Sequence, residues 1–177
     1  MPSGSVTPSG SVTPSGSVAL RAPAHRVSPR AIGYWTVRAG IGWLVLIGME
    51  ALSLLGGGPV RDPGVALLVG TGIAAVLHLI VMPQWRYRVH RWESTDEAVY
   101  TQTGWFSQER RIAPISRIQT VDSAFGLLER LFGLANVTVT TASAAGPIRI
   151  HGLAQDVAQR LADQLTRTTA ATPGDAT

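Results

Sequence analysis

The stretch GVALLVGTGIAAVLHLIVM, residues 64 to 82, decides the architecture, because its nineteen residues carry no formal charge. A bilayer core is crossed by roughly 20 apolar residues in a helix, with about 17 to 25 tolerated. A second run, AGIGWLVLIGMEALSLL at 39 to 55, has seventeen residues and one acid, Glu50. Between the two, GGGPVRDP supplies a short break rich in glycine and proline. The pair reads as a transmembrane helical hairpin over residues 34 to 83, with helices near 39–55 and 64–82. A cleaved signal peptide does not fit: the first run begins far from Met1, and a second span follows it at once.

Composition points the same way. Only 15% of the 177 residues are charged, against roughly 25% in an average soluble domain. The chain has no cysteine, which removes disulfides, thiolate nucleophiles and zinc–thiolate sites. All fifteen basic residues are arginine, so Schiff-base chemistry and lysine-dependent phosphate loops are excluded as well. The net charge of +4 is unevenly placed. Residues 1 to 92 hold eight arginines against Glu50 and Asp62, whereas residues 93 to 177 hold seven against nine acids. A nucleic-acid reader needs its basic patch on a folded surface, so no nucleic-acid partner is expected and the excess marks membrane flanks. Arg21, Arg26, Arg30 and Arg38 precede the first span, Arg86, Arg88 and Arg91 follow the second, and Arg61 alone lies in the connection. The positive-inside rule then predicts a multi-pass protein of the cell's inner membrane with both termini in the cytoplasm. Tyr34, Trp35, Trp85 and Tyr87 sit at the inner boundary, where amphipathic rings collect.

On the N-terminal side, PSGSVT at 2 to 7 and 8 to 13 and PSGSVA at 14 to 19 form a hexapeptide repeat. Such a composition cannot bury enough apolar area to offset chain entropy, so residues 1 to 33 are expected to be a disordered tail. On the C-terminal side the period changes. WRYRVHRW at 85 to 92 alternates apolar and polar residues as a half-buried strand does. AVYTQTGWF and ERRIAPISRIQTV read as two more strands, with a reversal near Ser107 and Gln108 and a bulge at Gly104. ANVTVTTA and PIRIH complete the set. Val157, Ala158, Leu161, Ala162 and Leu165 then fall on one helical face, with Arg160 and Arg167 outside. The expected fold is therefore α+β: a transmembrane hairpin, then a cytoplasmic domain over residues 84 to 167 in which a C-terminal helix caps an antiparallel sheet. Residues 168 to 177 are expected to be a second disordered tail.

RIAPISRIQTVDSAFGLLERLFGLANVTVTTAS, behind two membrane helices, resembles the bacterial pleckstrin-homology-like membrane proteins of the YdbS type. The motif residues are Pro114, then Arg117, Ile118 and Gln119, then Gly126 through Glu129 and Arg130, then Gly133. The resemblance covers roughly residues 35 to 167. It implies a pleckstrin-homology-like antiparallel barrel closed by the terminal helix. It also implies a cytoplasmic domain on a helical hairpin, often accompanied by a related multi-repeat membrane protein, with no established reaction and no catalytic residues. The motif itself reads as fold chemistry. Pro114 suits a strand end, where its missing N–H does no harm. LLERLF is a helical turn whose leucines and Phe132 plug the barrel, with Glu129 and Arg130 either a solvated pair or contacts to neighbouring turns.

Enzyme signatures are missing: there is no GxSxG, HExxH, phosphate loop or GxGxxG ahead of a helix. His90 and Glu93 lie near a turn but lack a third metal ligand. No catalytic residue, metal, cofactor or small-molecule substrate is expected. Glu50 is the most anomalous residue, since a carboxyl group inside a bilayer costs roughly 2.5–3.5 kcal/mol on insertion scales. By depth it matches Thr71, between Gly70 and Gly72, and not His78. Two readings of it stay open: a protonated Glu50 bonded to Thr71 or a backbone carbonyl, or a contact with a partner's transmembrane helix. Arg86, Arg88 and Arg91, with Arg110 and Arg111 beyond a hairpin turn, are candidate contacts for anionic headgroups, each worth roughly 1 kcal/mol near such a surface. Their simpler role is to set topology. The leading functional expectation is a non-enzymatic membrane anchor presenting a domain that assembles with other membrane proteins or with itself. An anionic-lipid sensor is the alternative, and a transporter's accessory subunit, with Glu50 facing a polar path, is a third reading.

Overall fold

In a computed structural model of the protein, the residues described are 22–56, 61–105, 107–144 and 146–171. The hexapeptide repeats, the tip of the hairpin and the last six residues lie outside them. Apolar side chains with few charges favour helix once the backbone must satisfy its own hydrogen bonds, and two long helices result: α1 (Arg30–Leu55) and α2 (Arg61–Val89). Their apolar faces point outward, with Leu44, Leu52, Leu67 and Leu77 all more than half exposed. Surface of that kind calls for lipid rather than water. Two side-chain bonds set the antiparallel register of the pair. Trp43 Nε1 donates to His78 Nδ1 (2.9 Å), and Thr71 Oγ1 donates to Glu50 Oε1 (3.0 Å).

Both helices run past the apolar stretches that announced them. α1 begins at Arg30, where Ser28 receives the Arg30 N–H on its hydroxyl (3.4 Å) and the Ala31 N–H on its carbonyl (3.0 Å). Pro29 supplies a helix-compatible φ of −58° just before it. Upstream, β1 (His25–Arg26) pairs with the first strand of the domain, and Val27, Ala31, Tyr34 and Trp35 are buried. Residues 22 to 33, expected to belong to a disordered tail, are thus part of the fold, because these apolar side chains have a core to enter. α2 carries Pro83 inside it and continues as helix through Val89. The strand expected at 85 to 92 is thus corrected: Trp85 and Val89 share a face at i, i+4, and the His90 N–H still donates to the Arg86 carbonyl (2.9 Å).

The strands form two open antiparallel sheets instead of one closed barrel. The first has the order β1, β2 (Arg91–Ser94), β3 (Ala98–Gly104), β4 (Gln108–Pro114). The second has the order β5 (Ile118–Ala124), β6 (Leu134–Thr141), β7 (Ile148–Ala154). The chain changes sheet at Pro114, which ends β4 and leads into a 3₁₀ turn at Ile115–Arg117. What read as one strand from 109 to 121 is therefore two, joined by that turn. Gly104, expected as a bulge, instead pairs with Gln108 and closes the β3–β4 hairpin at φ +133°.

α4 (Gln155–Ala171) extends four residues beyond the expected domain limit and lays Ala158, Leu161 and Leu165 onto the second sheet. They meet Val137, Val139, Ile150 and Leu153 in the main core. A second, smaller core joins Val27, Ala31, Tyr34, Trp35 and Leu134, with Leu128 of the short helix α3 (Leu127–Leu131) and Phe132 at its C-cap against it. The expectation that LLERLF plugs a barrel is corrected here. Leu128 and Phe132 pack on the foot of α1, whereas Leu127 and Leu131 are 86% and 81% exposed.

The closest joint in this second core is at Gly152, whose φ is +77° and where an added Cβ would stand 3.0 Å from Ala31 Cβ. Gly152→Ala is expected to cost about 1–3 kcal/mol. Thermal unfolding of the full chain in detergent reads this directly, and an unchanged midpoint would contradict the packing assigned to that joint.

Candidate functional site

Where the two sheets meet the last turns of α2 there is a cleft of about 690 Å³. Each wall contributes a cation for a reason visible in its local structure. Arg86 stands on the extended end of α2, with its guanidinium 4.7 Å over the Trp35 ring and Nε 3.5 Å from His90 Nε2. Arg111 points in from β4, held by Glu109 (2.6 Å) and the Pro147 carbonyl (3.2 Å). Arg149 and His151 alternate with buried Ile148 and Ile150 on β7, so both project from the face away from the core. Thr101 and Thr103 of β3 complete the polar floor. Toward the membrane the lining changes to His78 and Met82 of α2 and Trp105 at the β3–β4 tip. Three guanidinium groups thus share the cleft with one carboxylate, that of Glu109.

Two of the lining histidines, His90 and His151, respond to burial and to the Arg86 charge. His90 is only 4% exposed, and its pKa is pushed down to about 4, first by burial and then by the Arg86 charge. Its Nδ1 lies 2.9 Å from the Arg86 carbonyl, which suits a neutral ring donating there. His151 is lowered as well, again by burial first and Arg86 second, with Glu129 pulling against them. At neutral pH His90 and His151 therefore add hydrogen-bonding groups and no charge.

The five arginines singled out from sequence separate. Arg86 and Arg111 line the cleft. Arg110 does not, because neighbours on a strand face opposite sides. Arg88 is exposed on the last turn of α2, and Arg91 on β2 reaches the Pro23 carbonyl (3.4 Å). Sequence reasoning passed over Arg149, His151 and His90 as site residues. The alternation of PIRIH did place Arg149 and His151 on one face, but nothing local said that Arg86 would face them. Glu93, singled out beside His90, accepts the Ala24 N–H (3.0 Å).

Of the motif residues, Ile118 enters the main core and Gln119 is exposed on β5, while the Arg117 carbonyl accepts the Ala142 N–H (3.1 Å). Arg130 is exposed. For Glu129 the structure shows contacts to neighbouring segments, the second of the two readings, and not a solvated pair with Arg130. Its Oε2 takes the Gly126 N–H (2.6 Å), and its Oε1 takes Asn136 Nδ2 (2.7 Å) and the Tyr34 hydroxyl (3.2 Å). Burial alone would raise its pKa, but these three donors outweigh it and hold the carboxyl below its ordinary value. Arg38 donates in turn to the Tyr34 hydroxyl (3.2 Å), and Asn136 Oδ1 takes the Gly152 N–H (3.1 Å). A polar chain thus ties the first membrane helix to the second sheet.

Inside the hairpin the Glu50 carboxyl is directed at α2. Oε1 is bonded to Thr71, and Oε2 is buried with no hydrogen-bond partner among the described residues.

Two membrane helices carrying a two-sheet, helix-capped domain define a membrane-anchored protein of the pleckstrin-homology-like class. The chain belongs to the bacterial PH domain family, whose model matches residues 40–169. It is 27% identical over 157 residues to the UPF0699 transmembrane protein YdbS of Bacillus subtilis (strain 168), a match covering 86% of this chain and 97% of that protein. No solved structure matches.

Two measurements check the site. The unfolded chain binds its histidine proton near pH 6.5, while folded His90 waits until about 4. Stability therefore falls as pH drops through that window, by up to about 3 kcal/mol from this residue. Unfolding followed from pH 7 to pH 4 should show the fall, and His90→Gln should flatten it; parallel curves would acquit His90. In the hairpin, a double-mutant cycle of Glu50→Leu and Thr71→Val should give a coupling of about 1 kcal/mol, and a value near zero would mean the bond does not hold the helices together.

Proposed function

We propose that this protein is a non-enzymatic adaptor of the inner membrane that recognises anionic headgroups at the cytoplasmic surface of its own bilayer. The observation that carries the reading is the cleft in which Arg86, Arg111 and Arg149 face one another beside the membrane helices. Arginine forks match the oxygens of a phosphate group. The lining passes from cations to Met82 and Trp105 in the direction of the apolar runs, the polarity order of a phospholipid from headgroup to acyl chain. Both termini lie in the cytoplasm in this reading, which places the arginine-rich end of the hairpin on the leaflet side where anionic lipids attract basic residues.

Assembly with other membrane proteins, or with a second copy, is the second reading. It is supported by β4 and β5, which lie at the borders of the two sheets with most of their residues exposed. Such edges accept a further strand. Glu50 adds little to it, because its carboxyl is turned into the hairpin.

The test uses the full chain, since Val27, Ala31, Tyr34 and Trp35 belong to the core of the domain and a fragment starting at residue 84 would lack them. Protein in neutral detergent is offered mixed phosphatidylcholine and phosphatidylglycerol, and retained lipid is counted by native mass spectrometry. Selective retention of the anionic lipid is expected. Arg149→Gln and Arg111→Gln should each weaken it about fivefold, the equivalent of roughly 1 kcal/mol. Equal retention of both lipids, or variants that retain as much as the parent chain, would sink the headgroup reading. A stoichiometric co-purifying membrane protein would promote the second.

A further inference from the structure

Two apolar features at the membrane end of the domain lie outside the cationic part of the cleft. The first is the β3–β4 tip. The Trp105 ring stands edge-on 5.9 Å from the His78 ring, and the Trp105 carbonyl accepts a bond from Trp85 Nε1 (3.0 Å). His78 lies four residues inside the apolar run that ends at Met82, about 6 Å past its edge at the helical rise. A part of the sheet domain therefore reaches the depth of the hydrocarbon boundary, and the side chain it brings there, 42% exposed, is tryptophan. That is the residue type enriched at this depth.

The second feature is the outer face of α3. Leu127 and Leu131 are one turn apart on one side of the helix, 86% and 81% exposed, and Phe125 just before them is 54% exposed. Their height is set by the opposite side. Glu129 is bonded to Tyr34, and Phe132 lies edge-on to the Tyr34 ring at 6.2 Å. Tyr34 precedes the apolar run at Ala39 by five residues, about 8 Å along the helix. The headgroup layer on each side of a bilayer is about 5–8 Å thick, so leucine side chains at this height span it.

We propose that Trp105 and the Phe125–Leu127–Leu131 face are inserted in the interfacial layer of the bilayer that holds the hairpin. The domain is then seated on its membrane at two apolar points besides the two helices. Lipid is the occupant because both features are continuous with the membrane helices and held at their boundary by hydrogen bonds and ring contacts. Insertion of apolar side chains requires no headgroup charge. It therefore holds in a neutral bilayer, and its failure is distinct from failure of headgroup recognition.

The chain has no cysteine, so each introduced cysteine is a unique labelling site. Leu127→Cys, Leu131→Cys and Ser107→Cys, all at exposed positions, are made singly in the full chain. Each is labelled with a nitroxide and placed in phosphatidylcholine nanodiscs. Arg160→Cys, on the exposed side of α4, serves as the aqueous control. Collision rates with oxygen, which concentrates in lipid, are compared with those of a water-soluble nickel chelate. The oxygen-to-nickel ratio is expected to be several-fold higher at 107, 127 and 131 than at 160. A ratio at 127 and 131 equal to that at 160 overturns insertion of α3, and the same result at 107 overturns insertion of the tip. Exclusion of both reagents at 127 and 131 also overturns it, by showing that protein, in the first place a second copy, covers the face.

Discussion

The packing of the foot of α1 against the sheet domain is the contact on which the rest of this structure depends. Ala31 fits where Gly152 has no side chain, Tyr34 bonds Glu129, and the Ser28 N–H is donated to the Gly152 carbonyl at 2.9 Å. A helix that merely anchored a domain would leave the two free to tumble about their linker. Here the helix enters the core of the domain before it enters the membrane, and α2 leaves the membrane as a helix that ends in the first sheet. Hairpin and domain are consequently held as one body.

That rigidity is what gives the cleft its composition. Arg86 is a membrane-flanking residue by sequence, and such residues ordinarily face headgroups and water. Fixed in place by Trp35 and His90, it is turned instead toward Arg111 and Arg149 of two different sheets. The like charges are tolerated because Glu109 shares Arg111 and because His90 and His151 stay neutral. Burial first, and the Arg86 charge second, hold both of these histidines in the neutral form.

The same body brings apolar side chains to the bilayer boundary. Leu127 and Leu131 look misplaced on a soluble domain, and their neighbours Leu128 and Phe132 show why the segment is helical at all: one face is needed to cover the foot of α1. So short a helix leaves its other face uncovered, and the tie through Glu129 sets its height beside the foot of α1.

The spans, their antiparallel arrangement, the strand-rich domain and its capping helix were legible in the sequence. Each depends on local periodicity, on charge or on the length of an apolar run. So was the match in depth between Glu50 and Thr71, which follows from helical rise alone. Three things were not. WRYRVHRW alternates like a strand, yet it continues a helix whose turns already satisfy its backbone. Residues 22 to 33 look too polar to fold, yet Val27 and Ala31 find a core made by β6 and β7, far along the chain. Glu129 reads as a surface acid, yet its three donors come from Tyr34, Gly126 and Asn136. Sequence by itself determined what each segment is, because secondary structure and membrane insertion are decided by near neighbours and by total apolar length. Only the tertiary structure decided which side chains meet, because the cleft and the α1 joint are built from residues more than 120 positions apart, Ala31 and Gly152 among them, whose approach no local pattern encodes.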